Sequence, residues 1–184
     1  MLRRMSSAVP DESQLPNLAR HVGDAVRALL GSHGLELREV EDDDNELPSL
    51  APDDLVAILT FGRPPVSGKL VIAASVPAIL RTMPFAPTAG DERAAATDWL
   101  GELANQALGR FRERVSWQQG AAEIGTPFVF PLMDAPFGAL DPEHTVGRTL
   151  VGGDAHLLAW CEFTAPAALQ FDPTAPTRAG TRLF

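Results

Sequence analysis

Apolar residues recur at three- and four-residue steps through Leu15, Leu18, Val22, Val26, Leu29 and Leu30. That spacing puts them on one side of a helix over residues 15–30, and Gly31 and Gly34 are placed to stop it. Residues 35–40 then alternate apolar and polar, the period of a half-buried strand. Residues 55–61 and 69–74 read as two apolar strands joined by a turn over 62–68 that contains Pro64 and Pro65. Together they predict a hairpin with a buried face. Val76, Ile79, Leu80 and Met83 share one side of a short helix that Pro84 and Pro87 end.

The longest periodic stretch covers about residues 91–115, with Asp91 and Glu92 at its start and Arg110, Arg112 and Arg114 near its end. Both charge placements suit the helix dipole. Three more strands are predicted over 121–130, 145–151 and 157–163, with Gly152, Gly153 and Asp154 turning the last pair. The order is helix, strand, hairpin, short helix, long helix, then strands. It predicts an α/β (α+β layered) fold, a largely antiparallel sheet packed against two long helices. The expected organisation is a flexible N-terminus over 1–14, one domain over 15–165, and a loose Pro- and Thr-rich tail over 166–184.

Between these elements lies Glu41-Asp42-Asp43-Asp44-Asn45-Glu46, whose self-repulsion predicts a solvated loop. It lacks the glycine and distal glutamate of an EF-hand and does not read as a calcium site. The loop contributes to a net charge of −9 over 184 residues. That balance argues against nucleic acid or an anionic membrane as partner, since both need basic patches. No run of about 18 apolar residues is present to span a bilayer. The basic start, Leu2-Arg3-Arg4-Met5, lacks an apolar secretory core, so a cytoplasmic protein is expected.

Candidate chemistry is sparse. Cys161 is the only cysteine; it lies in an apolar strand and reads as a buried structural thiol. The histidines at 21, 33, 144 and 156 contain no i, i+4 pair of the kind that holds a metal on a helix. His144 and His156 read as surface residues, and Asp134, Asp141 and Glu143 as a soluble loop. Ser67-Gly68-Lys69 lacks the spacing of a phosphate loop.

The long helix is different. With Leu100 at zero and about 100° per residue, Leu103, Ala104, Ala107, Leu108 and Phe111 form one apolar stripe. Asp98, Glu102, Asn105 and Gly109 fall on the opposite face, between about 140° and 200°. Asparagine and glycine are poor helix formers, so simple solvation would be better served by Lys, Gln or Glu. An acid, a carboxamide and a bare patch on one outward face suit docking against another protein.

The run Asp98-Trp99-Leu100-Gly101-Glu102-Leu103-Ala104-Asn105-Gln106-Ala107-Leu108-Gly109 resembles the signature helix of the CheX/CheC chemotaxis phosphatases, which carry a Glu-x-x-Asn pair. The preceding hairpin and short helix, and the following Gly125-Thr126-Pro127-Phe128-Val129, are similar too. The resemblance implies dephosphorylation of the phospho-aspartate of a CheY-like receiver domain. By position, Asn105 would orient the attacking water, Glu102 would hold the regulator's lysine, and Asp98 and Gly109 would belong to the docking surface. It implies no cofactor on this chain, with Mg2+ carried by the regulator. One signature helix is the CheX pattern, and that subfamily dimerises through sheet edges. Asp42-x-x-Asn45 repeats the spacing, but in the acidic loop. Gln106 and Arg110 depart from the commoner residues of the run. The alternative is a non-catalytic adaptor binding a receiver domain or a flagellar-switch-like partner; a blander one is a regulatory sheet protein with no receiver partner.

Overall fold

The computed structural model describes residues 15–40, 51–63, 66–117, 123–134, 145–152, 155–164 and 169–171. Predicted features at 1–14, the acidic loop at 41–46, Pro64 and Pro65, Gly153 and Asp154, and the acids at 141 and 143 lie outside these residues. So do His144 and positions 166–168 and 172–184 of the tail.

Three helices cover one face of an antiparallel sheet. Helix α1 (Leu15–Ser32) runs past Gly31 and ends where Leu35 N–H donates to Leu30 C=O, with Gly34 at φ 83° making the reversal. This capping bond draws Leu35 out of the predicted strand, so β1 is only Arg38–Glu39. The predicted alternation still holds: Leu35 and Leu37 are buried, while Glu36 and Arg38 are exposed.

Strands β2 (Leu55–Arg63) and β3 (Val66–Ala74) form the expected hairpin, but longer than expected. Gly62 and Gly68 stay in the ladder, paired with Ser67 and Phe61. Gly68 is needed there for closeness and not for turning. A Cβ at this position would meet Glu162 C=O at 2.3 Å and the Phe61 ring at 2.8 Å.

Helix α2 (Val76–Arg81) begins at the N-cap Ser75, whose Oγ accepts from Ala78 N–H, with Pro77 in the first turn. Helix α3 (Glu92–Arg114) follows and runs straight into β4 (Val115–Trp117). The strand predicted over 121–130 is split into β5 (Glu123–Ile124) and β6 (Phe128–Pro131). Pro127 between them has no N–H to give a ladder. A 3-10 turn at Leu132–Asp134 follows β6 and includes the exposed Asp134.

Strands β7 (Thr145–Gly152) and β8 (Ala155–Thr164) form the second hairpin, in register from Gly152↔Ala155 to Thr145↔Glu162. The sheet order is β1-β7-β8-β3-β2-β5, with β6 also pairing β2. Strand β9 (Leu169–Phe171) pairs with β4 as a separate ribbon. These three residues belong to the stretch expected to be loose.

Helix α1 lies over β7 and β8; α3 lies over β2, β3 and β6 and packs against α1 and α2. The core between the layers takes alternate sheet residues (Leu55, Ala57, Leu59, Leu70, Ile72, Leu157, Ala159) and the inner faces of the helices. Helix α3 contributes Leu100, Leu103, Leu108 and Phe111, each at most 2% exposed. Each is worth about 1.5–3 kcal/mol on burial, more than the ~1 kcal/mol cost of a glycine or asparagine in the same helix. Tertiary burial therefore holds α3 despite its own poor helix formers.

Candidate functional site

The outward face of α3 is fixed by contacts on its other three sides. Beneath it are the buried Leu100, Leu103, Ala104, Ala107, Leu108 and Phe111, the residues that the helical wheel assigns to the core. On one flank Trp99 Nε1 donates to Thr82 Oγ1 at 2.9 Å, and the Trp99 ring meets His33 edge-on at 5.3 Å. Further along the same flank Arg110 Nη2 donates to Ser32 Oγ at 3.2 Å, tying α3 to the end of α1. On the other flank Gly101 is buried beside β6, where a Cβ would stand 3.5 Å from Pro127 Cγ and Val129 Cγ2.

What remains between these flanks is the polar face. Asp98 and Glu102 are exposed, and Asn105 and Gly109 are half-buried. Glu102 and Asn105 are one turn apart, within reach of one small target. Among the described residues the Asn105 side chain has no hydrogen-bond partner, and Glu102 has no ion pair. Glu102 Oε1 accepts a hydrogen bond from Gln106 Nε2 at 2.8 Å. In the signature run Gln106 stands only as a departure from the commoner residue. The i, i+4 spacing of a carboxylate and a carboxamide was the signal for this contact.

Among the described residues Gly109 faces open space: nothing lies within 4 Å of where a Cβ would be. The fold therefore does not require a glycine here. Gly109→Ala is expected to raise the unfolding free energy by about 0.5–1 kcal/mol, read from urea denaturation. A loss of stability would mean that the space is filled.

The other candidates sit elsewhere. Cys161 is completely buried on the helix-facing side of β8, and desolvation pushes its thiol pKa far above the ordinary value. It should resist thiol reagents in the folded protein and react only as denaturant unfolds the chain; rapid native labelling would contradict this placement. Ser67, Gly68 and Lys69 belong to β3, their backbone engaged in strand pairing, and Lys69 Nζ lies 3.2 Å from Glu162 Oε1. His156 lies in β8 opposite Val151. Among the described residues no three His, Cys, Asp or Glu side chains cluster as metal ligands, and no helix is long and apolar enough to cross a membrane.

No protein-family model matches the chain, and no curated protein sequence does. Solved structures do match its fold. A CheC-like superfamily protein from Shewanella sp. PV-4 superposes with a TM-score of 0.59 at 18% identity, over 80% of this chain and 97% of that one. CheX from Vibrio vulnificus gives 0.56 at 14% identity, over 79% and 95%. CheX from Borrelia burgdorferi, solved with CheY, BeF3 and Mg2+, gives 0.60 at 14% identity, over 78% and 96%. The chain has the CheX/CheC-like fold, as the signature run predicted.

Proposed function

We propose that this protein is a phosphatase for the phospho-aspartate of a CheY-like receiver domain, in chemotaxis or a related two-component pathway. The observation that supports this most is the pairing of Glu102 and Asn105 on the face of α3 that, among the described residues, neither the sheet nor another helix covers. The likeness to CheX solved with CheY supports a receiver domain as partner.

An acyl phosphate is intrinsically reactive, so a catalyst needs to place water in line with the phosphorus. Asn105 enters the receiver's active site and its carboxamide oxygen accepts a hydrogen bond from that water. A neutral amide does this without adding negative charge beside the phosphoryl group. The water oxygen bonds to phosphorus as the bond to the aspartyl oxygen breaks. The leaving electron pair stays on the aspartate carboxylate, inorganic phosphate departs, and the water's proton passes to solvent. Glu102 binds a lysine of the receiver and sets the docking register. Asp98 and Gly109 belong to the contact surface, where the bare glycine allows close approach. Mg2+ belongs to the receiver and neutralises phosphoryl charge there. The protein works in the cytoplasm and pairs through sheet edges.

Turnover distinguishes this reading from an adaptor. A small molar fraction of this protein should discharge a full pool of phosphorylated receiver. Binding to a receiver loaded with Mg2+ and BeF3, with no accelerated phosphate loss, would make the protein an adaptor instead.

A further inference from the structure

We infer that Gln106 is a positioning residue for Glu102: it presets the carboxylate for a cation on the docked partner while leaving its charge unneutralised. The inference rests on the reading of α3 as a receiver-docking helix.

Glu102 is exposed, and a free side chain there would sample several rotamers, all but one of which must be given up on docking. The bond from Gln106 Nε2 to Oε1 selects one arrangement beforehand. It is the only bond to this carboxylate among the described residues, so Oε2 remains for a partner. Gln106 is itself half-buried, a firmer base than the exposed acid it holds.

The chemistry of the donor matters as much as the bond. One turn after a glutamate, the residue that best stabilises a surface helix is Lys or Arg, which forms an ion pair. Gln106 makes a hydrogen bond in the same place without a positive charge. The cation one turn beyond it, Arg110, is engaged with Ser32 Oγ, and that hydroxyl in turn donates to Leu29 C=O at 2.6 Å. The arrangement orders the carboxylate and keeps nearby cations from competing for it.

The test uses the full chain and a receiver domain phosphorylated with a small-molecule phosphodonor and Mg2+, with KM and kcat measured separately. Gln106→Met should raise KM about 3- to 10-fold with kcat unchanged, the cost of ordering one side chain. Gln106→Lys should raise KM further, since its ammonium occupies Glu102, while thermal stability stays level or rises slightly. In a Glu102→Ala background neither change should have any further effect. The inference is overturned if both variants match the wild-type KM, or if their effects persist without Glu102. Wild-type protein that fails to accelerate decay would overturn the parent reading and this one with it. Accelerated decay with unchanged variants would overturn this one alone.

Discussion

Asn105→Ala is expected to abolish accelerated dephosphorylation, lowering kcat by about 10²-fold or more, the usual loss when a single preorganised polar group is removed from a reacting centre. Folding should move the other way. Asn105 makes no side-chain hydrogen bond among the described residues, and alanine is the better helix former by about 0.5 kcal/mol. The variant should therefore be as stable as wild type or slightly more so, and should still bind the receiver. Glu102→Ala should separate from it by raising KM, about 10- to 100-fold for a lost charge-assisted contact, with a smaller effect on kcat. Stopped-flow or radiolabel decay, together with urea unfolding of the same preparations, checks both directions. Loss of activity accompanied by loss of stability would place Asn105 in the scaffold.

Phe111→Ala should carry the largest penalty on folding, about 3–5 kcal/mol. Phe111 is 1% exposed at the foot of α3, and its ring meets Phe61 of β2 at 6.2 Å between centroids. Phe61 in turn lies against Gly68 of β3, where no side chain would fit. The three residues join the helix that carries the polar face to the hairpin beneath it. Removing the ring leaves a cavity that two strands and a helix cannot close together, because β2 and β3 are locked in register over nine paired residues. A domain of this size has total stability of about 5–15 kcal/mol, so the variant should unfold at much lower urea. A change below about 1 kcal/mol would mean that the core collapses into the space.

The helical wheel placed the buried stripe and the outward acid, amide and glycine of α3 correctly, because a 3.6-residue period is imposed by the helix itself. The antiparallel sheet and its two hairpins were legible from a different signal, apolar strand runs bounded by glycine and proline turns. What escaped was decided by contacts between elements. Residues 35–40 alternate as a strand should, yet Leu35 gives its N–H to the end of α1 and only Arg38–Glu39 reaches the sheet. The glycines at 62 and 68 look like turn residues, but Gly68 is a strand residue overlain by Phe61. The strand over 121–130 breaks at Gly125, where a Cβ would meet Thr60 Oγ1 at 2.4 Å, and at Pro127. The β4–β9 pairing joins Val115–Trp117 to Leu169–Phe171, far apart along the chain, a relation with no local period. At the site, position was readable, and the i, i+4 spacing permits the Gln106–Glu102 bond, but the rotamers that close it are not specified by a wheel.

Phosphate decay is the sharpest test of catalysis by α3. Each receiver domain of the source organism is phosphorylated, and its decay is followed alone, with this protein, and with Asn105→Ala. At least one receiver is expected to lose phosphate faster in proportion to added wild-type protein, and at its intrinsic rate with the variant. Superimposable decay curves for every receiver, or equal acceleration by Asn105→Ala, would contradict it.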